Sequence, residues 1–368
     1  MITPLSFKDL AIRGVRNLQP AQVSFSPALN VLFGDNGQGK TSLLEAICVS
    51  ATTRSFRTEQ IREVVQQGTD ALLVSANVND DGLTRQQRVV VGPHSRQAFI
   101  NDKRISALAS YAMHSPIVVF SPNDLDLVTG SANMRRSLLD RIALYSDPST
   151  QDCRLAYSRA LRHRQHLLDQ SGRDAKALLA FESILAEQGL QYGRAHSMAA
   201  ARLCQYLPEI FAALCSQSLS LEACFSGTPT ADPEVFRREL FERRVIDKHS
   251  RRASWGPHRD DLSLSIDRKT ARHHASQGQQ RLLALALKLA EFKCIQAVRQ
   301  THPVLLLDDV SSELDQNRTS SVFDWLRSTE SQVFLTSPRD DLLDGLEISQ
   351  KEQRHFKVDN GEIRHLPY

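Results

Sequence analysis

Val31-Leu32-Phe33 runs straight into Gly34-Asp35-Asn36-Gly37-Gln38-Gly39-Lys40-Thr41-Ser42. An apolar strand, a glycine-rich turn and then the helical pattern of Leu43, Leu44 and Ile47 can be joined in few ways. The spacing G-x-x-x-x-G-K-[ST] describes a loop whose backbone N–H groups converge on phosphate oxygens. Gly34, Gly37 and Gly39 permit the tight turn, and the following helix adds its positive N-terminal end. Lys40 would place its charge at the β- and γ-phosphates, and the Thr41 hydroxyl is positioned to ligate Mg²⁺. The loop therefore predicts an α/β core that binds a nucleotide.

Two further segments fit the same chemistry. Val304-Leu305-Leu306-Leu307 is an apolar strand that ends in Asp308-Asp309. Ligands bind at strand ends in parallel sheets. A carboxylate at Asp308 can hold Mg²⁺ through water, and Asp309 would stand beside the attacking water as general base or orienting group. Ser276-Gln277-Gly278-Gln279-Gln280 opens a helix expected from about Gln279 to Arg299. A hydroxyl, a glycine N–H and a helix N-terminus make a second anion site. One chain carries one nucleotide loop, so this site could meet the γ-phosphate held by another copy. Lys40, Asp308 and Asp309 are the candidate catalytic residues, with Thr41 and Asp308 as metal ligands.

The rest of the chain divides by pattern. Leu5, Phe7, Leu10 and Ile12, then Val23, Phe25 and Leu29, read as strands, as do 70–78, 86–91, 97–100, Ile117–Phe120 and Val333–Thr336. Helical periodicity without a sustained heptad dominates from about Met134 to Val245, for example Leu155, Tyr157, Leu161 and Leu168, then Leu179, Phe181, Ile184 and Leu185. The expected organisation is a discontinuous head, 1–130 and 250–368, with an all-helical insertion at 131–249. With 368 residues and 41% hydrophobic content the chain can bury a large core. No segment has the length and apolarity of a membrane helix or the pattern of a secretion signal, so a cytoplasmic, soluble protein is expected. The six cysteines are scattered, which argues against a disulfide framework. Net charge is only +3, but arginines cluster at Arg54, Arg57 and Arg62, at Arg135 and Arg136, at Arg159, Arg162 and Arg164, and at Arg243, Arg244, Arg251 and Arg252. These clusters suggest a nucleic-acid partner.

The ordered set resembles the ABC-type ATPase heads of the structural-maintenance-of-chromosomes group, and most closely the RecF family of recombination mediators. The matching stretches are Gly34–Thr41, Phe120-Ser121-Pro122-Asn123-Asp124-Leu125, Arg135-Arg136-Ser137-Leu138-Leu139-Asp140, Gly256-Pro257-His258-Arg259-Asp260-Asp261, Ser276–Arg281 and Leu306-Leu307-Asp308-Asp309-Val310-Ser311-Ser312-Glu313-Leu314-Asp315. The interval between Lys40 and Ser276 is too short for that group's long coiled-coil arms. The resemblance implies an α/β head, a phosphate-loop core with a flanking antiparallel β region, plus an α-helical insertion. It implies that Asn36–Thr41 form the Walker A loop, Asp308 the Walker B carboxylate and Ser276–Gln280 the signature motif that binds the opposite subunit's γ-phosphate. Ser312–Asp315 would cross the dimer interface, Phe120–Asp124 would sense Mg²⁺ and γ-phosphate, and Gly256–Asp260 would line the interface or a DNA path.

Three positions depart from the pattern. Asp309 stands where many ABC proteins carry glutamate, Thr336 where many transporters carry histidine, and Ile12-Arg13-Gly14-Val15-Arg16-Asn17 lacks an aromatic residue before arginine. The last reads as a surface or packing change. The implied activity is slow, DNA-stimulated ATP hydrolysis in a homodimer closed by ATP and Mg²⁺. Its substrate would be gapped DNA with single-strand/double-strand junctions, and its partner RecR, acting with RecO to load RecA. A nucleotide-gated DNA scaffold with little hydrolysis and a transporter-type ATPase subunit are the alternatives. His258 and Trp255 read first as a turn residue and a packing residue.

Overall fold

The run Leu5, Phe7, Leu10, Ile12 breaks strict alternation between positions 7 and 10. In a computed structural model, which describes residues 4–170, 174–215, 219–309, 316–338 and 353–366, a bulge at that point accounts for the break. Strand β1 (Leu5–Arg13) pairs antiparallel with β4 (Leu72–Asp80), and the register shifts between Phe7 and Asp9. The extra residue returns all four apolar side chains to one buried face. This antiparallel sheet has six strands in the order β2 (Ala21–Ser24), β1, β4, β5 (Leu83–Val91), β6 (Arg96–Ile100), β7 (Lys103–Ile105).

A second six-stranded sheet carries the apolar runs. Its order is β15 (Glu362–Leu366), β14 (Gln353–Asp359), β3 (Leu29–Phe33), β13 (Val333–Ser337), β12 (Val304–Leu307) and β8 (Ile117–Phe120). All neighbours pair in parallel except β14 with β15, which form a C-terminal hairpin. Every residue of β3, β12 and β13 is buried. Strands covered on both faces need no polar alternation, which is why the sequence reads as continuous apolar runs. Helix α1 (Lys40–Thr52) follows β3 and is buried over most of its length. The ends of β3 and β12 are separated by one strand, β13.

The described residues cluster in two compact units. The first comprises Met1–Leu125, Ile210–Ser218 and Ser276–Tyr368 and contains both six-stranded sheets; the second comprises Asp126–Glu209 and Leu219–Ala275. The second unit holds α3 (Asp126–Thr129), α4 (Ala132–Ser146), α5 (Thr150–Asp169), most of the 40-residue α6 (Ala175–Leu214), α7 (Pro233–Glu242), α8 (Arg244–Ser250) and α9 (Ala271–His274). It is not all helical. Strand β9 (Leu221–Ser226) lies inside the segment read as helical and pairs with β10 (Asp261–Ile266), which also pairs with β11 (Lys269–Thr270). The helical periodicity at 179–185 corresponds to part of α6. Leu185 is buried, but Leu179 and Ile184 are 54% and 40% exposed. Among the described residues, no helix is long and apolar enough to cross a membrane.

Candidate nucleotide site

The phosphate loop is built by close approach. Gly34 has φ 144°, and a Cβ there would collide with the Val358 carbonyl oxygen of β14; Gly39 has φ 122° and leaves 2.8 Å to Leu18 Cδ2. Both positions combine a left-handed-side φ with backbone or side-chain crowding that only glycine accepts. Gly39 is the N-cap of α1 and offers no side-chain cap. The first N–H groups of α1 therefore have neither an intrahelical acceptor nor a capping oxygen, and remain available to an anion. The C-terminal hairpin braces this loop from far along the chain. Gly361 N donates to Gln38 O at 3.0 Å, and Asn360 N donates to Gln38 Oε1 at 2.6 Å. Asn17 adds a second brace: its Nδ2 donates to Gly37 O at 3.0 Å and its Oδ1 accepts from Ser42 Oγ at 2.9 Å.

Lys40 folds back over its own loop. Its ammonium donates to Gly34 O and to Asp35 O. Burial pulls its pKa below the usual lysine value, while the carboxylates of Asp309, Asp308 and Asp35 oppose that shift. An incoming phosphate would exchange two neutral carbonyl partners for charged oxygens, a stronger interaction for an ammonium.

The second strand end meets the loop at Asp308. Thr41 Oγ1 donates to Asp308 Oδ1 at 2.9 Å, and Thr336 Oγ1, at the end of β13, donates to the same oxygen at 2.9 Å. Asp308 N donates to Phe120 O at 2.8 Å, which ties it to β8. Burial raises the Asp308 pKa, the two threonine hydroxyls oppose this, and the neighbouring Asp309 adds to it. A buried carboxylate and a threonine hydroxyl in contact are hard oxygen donors, the set that suits Mg²⁺ with water completing its shell. Thr41 and Asp308 would hold such an ion, and its charge would favour the ionised form of Asp308.

Loop and carboxylates open on one cleft of about 740 Å³. Asn36, Gly37, Gly39, Lys40, Thr41, Ser42, Asp308, Asp309 and Thr336 line it. Gly34, Asp35 and Gln38 support the loop from behind through the contacts above. The cleft also has walls that the sequence did not single out as nucleotide contacts: Arg16, Asn17, Arg57, Glu63, Val65, Gln66 and Gln67. Arg16 is fixed there by Glu45 of α1, with Nε–Oε2 at 2.8 Å and Nη2–Oε1 at 2.9 Å. Glu45 is fully buried, and Arg57 Nη1 stands 3.7 Å from it. At the end of the Ile12–Asn17 segment, Arg16 and Asn17 thus form a wall of the cleft, while Ile12 is packed in the core. Val15 bridges to Val65, which draws 63–67 alongside it.

Ser276–Gln280 do not line this cleft. Ser276 caps helix α10 (Gln277–Arg299) in a capping box: Ser276 Oγ accepts from Gln279 N at 3.2 Å, and Gln279 Oε1 accepts from Ser276 N at 2.8 Å. In this arrangement the Ser276 hydroxyl accepts a bond from the backbone and keeps its own proton to donate. Ser276 and Gln277 are exposed. Ser312–Asp315, the stretch expected to cross a dimer interface, lies outside the described residues. Ser121, in the stretch expected to sense γ-phosphate, bonds within its own turn, N to Asp124 Oδ2 at 2.7 Å.

The Gly256–Asp261 stretch, in the second unit, makes a different kind of structure. His258 Nε2 donates to Ala253 O at 3.1 Å, so Nδ1 is the acceptor for the Tyr157 hydroxyl at 2.7 Å. Burial lowers the His258 pKa, which keeps the ring neutral. Asp261 takes Arg135 in a two-pronged pair at 2.7 and 3.1 Å, and Asp260 O accepts from Arg136 at 2.8 Å. Two of the motif stretches are therefore bonded to each other. Trp255 packs edge-on against Phe236 at 4.5 Å. The arginine clusters divide likewise. Arg135, Arg136, Arg164, Arg243 and Arg244 are spent on internal partners, while Arg159, Arg162, Arg251 and Arg252 are exposed.

Comparison with known proteins agrees with the geometry. The family described as RecF/RecN/SMC N terminal domain matches residues 6–363. A protein of Lactobacillus delbrueckii subsp. bulgaricus called DNA replication and repair protein RecF is 34% identical over 368 residues, covering 95% of this chain and 94% of its own. Its counterpart in Myxococcus xanthus is 35% identical over 350 residues, covering 91% of each. The structure of the recombination mediator protein RecF-ATP in the RecFOR pathway superposes with a TM-score of 0.89 at 26% identity, over 100% of this chain and 99% of that one. The Smc head domain of Pyrococcus furiosus, at 16% identity and a TM-score of 0.58, shares the fold. The chain belongs to the RecF family, within the wider group of SMC-type ATPase heads.

Proposed function

We propose that this chain is an ATP-dependent DNA-binding protein of replication and recombinational repair, acting in the cytoplasm, in which two ATP molecules clamp two copies together. The observation that carries this reading is the division of the anion-binding groups. Lys40, Thr41 and Asp308 gather in one cleft, whereas the exposed N-terminus of α10 at Ser276 lies outside it. A second copy would bring its Ser276–Gln280 to the γ-phosphate held at Lys40. ATP then contributes binding energy to the closed state that the open state cannot gain, and so shifts the equilibrium. Mg²⁺, held at Thr41 and Asp308, would neutralise phosphate charge. Asp309 would orient or deprotonate the attacking water, and loss of the γ-phosphate would release the clamp.

The curated relatives are DNA replication and repair proteins, and one solved neighbour belongs to the RecFOR pathway. In this reading the substrate is gapped DNA at a single-strand/double-strand junction. RecR is the partner, with RecO, in helping to load RecA. The exposed arginines Arg159, Arg162, Arg251 and Arg252 supply cationic surface for phosphates. The test is DNA binding across a salt series with ATP, ADP or no nucleotide. Tight binding with ATP that weakens steeply with salt supports the reading; binding indifferent to nucleotide refutes it. Asp309, shorter than glutamate, favours a second reading in which hydrolysis is minimal and ATP acts as a gate. Hydrolysis equal in wild type and Asp309→Asn, both at background, would select that reading.

A further inference from the structure

We propose that Thr336 is a positioning residue that holds Asp308 and Asp309 in their working arrangement; the proposal rests on the reading of the cleft as an ATPase site. Strand order is the first support. β13 lies between β3, which feeds the phosphate loop, and β12, which delivers the carboxylates. The last residues of β13 therefore reach the gap between the two halves of the site. Thr336 pairs with Leu32 of β3 on one side, and on the other Leu335 pairs with Leu307, immediately before Asp308. Its side chain is 1% exposed.

The hydrogen bonds fix which way the hydroxyl works. Asp309 N lies 2.8 Å from Thr336 Oγ1. An amide can only donate, so the hydroxyl oxygen accepts there. The single hydroxyl proton then goes to Asp308 Oδ1, 2.9 Å away. One side chain thus bonds the carboxylate of the first aspartate and the backbone of the second. Asp309 has φ 57°, a left-handed conformation that costs most residues with a side chain, aspartate less than most, and the Thr336 bond to its amide helps to hold it. That conformation sets the direction in which the Asp309 carboxylate leaves the main chain. Valine at 336 would keep the shape and remove both bonds. It would leave a half-buried amide without this acceptor and Asp308 Oδ1 with Thr41 as its remaining hydroxyl donor. Serine would keep both.

The experiment compares wild type, Thr336→Val and Thr336→Ser by three readouts: ATP dissociation constant, hydrolysis rate at saturating ATP, and hydrogen exchange of the Asp309 amide without nucleotide. The expected result for Thr336→Val is a hydrolysis rate lower by about tenfold or more, ATP affinity within about twofold of wild type, and faster exchange at Asp309. Thr336→Ser should match wild type in all three. The proposal is overturned if Thr336→Val hydrolyses and exchanges like wild type. It is equally overturned if serine is as impaired as valine, since the methyl rather than the hydroxyl would then be what counts, or if Thr336→Val loses ATP binding or fails to fold, since the hydroxyl would then hold the whole site or fold rather than position the two aspartates. If wild type hydrolyses no faster than Lys40→Met, the ATPase reading falls, and amide exchange in the two variants still decides whether the hydroxyl orders the pair.

Discussion

The nucleotide cleft and the Asp260 region are both dense in polar side chains, but they differ in what is left over. Around Asp260 the groups are used up by one another. Buried His196 donates to Asp260 at 3.0 Å and to Asp140 at 3.1 Å, and Asp260 also accepts from Thr228 N and Oγ1 at 3.0 and 3.2 Å. Nearby in the same unit, fully buried Arg164 takes Asp247 at 2.6 Å, Glu182 at 3.1 Å and Leu240 O at 2.7 Å. In the cleft, Lys40 spends its charge on neutral carbonyls, and the first turn of α1 has no capping side chain. A closed polar network holds a fold; one with unspent capacity facing a cleft awaits a ligand. In sequence the two look alike, since both are short runs of glycine and charged residues.

The contrast is broken most forcefully by removing a member of the closed set. Arg164→Met leaves Asp247 buried without its ion-pair partner, and Glu182 with Arg244 alone, and should cost about 3–5 kcal/mol of stability. Chemical denaturation reads this, and molecules that remain folded should bind ATP as the wild type does. Lys40→Met should do the reverse. Its ATP affinity should fall by about 10- to 100-fold, the worth of a charged hydrogen bond, while stability moves by about 0.5 kcal/mol or less. Isothermal titration and denaturation together separate the two outcomes.

The smallest effect is a pH slope. Burial works against a charged His196, but its bonds to Asp140 and Asp260 outweigh that and raise its pKa above the usual histidine value. A group raised in the folded state gives its full stabilisation below the unfolded pKa of about 6.5, and loses it as pH climbs through the folded value above that. Tyr192, bonded to Asp140 at 2.9 Å, and Arg136 and Arg154 complete the charged and polar groups around it. Stability should therefore decline as pH rises above about 6.5, and His196→Gln should flatten the decline. An unchanged slope in that variant would assign the pH dependence elsewhere.

What could be read from the sequence was what is local. The phosphate loop, the Asp308 strand and the helix cap at Ser276 each declare themselves within ten residues, because a turn, a strand end or a cap is set by its own neighbours. The walls of the cleft did not. Arg16 reaches its place through Glu45, an acidic residue buried in α1 that periodicity alone would assign to solvent. Gln38 is braced by Asn360, 322 positions away. The strand β9 was missed because its alternation, Leu221, Ala223 and Phe225, is short and only half-buried. Among the arginines, the sequence showed charge but not pairing, so Arg135 and Arg164 looked like surface. Thr336 stood out only as a departure, and its place between two strands gives it a use.

The central claim is that the nucleotide site takes one half from each of two copies. Sedimentation with Mg²⁺ and either ATP, ADP or no nucleotide tests it most directly, using wild type, Lys40→Met and Ser276→Arg. The account predicts a dimer that forms with ATP alone and is lost in both variants, although Ser276→Arg still binds ATP. A monomer in the presence of ATP, or a dimer indifferent to Ser276, would contradict it.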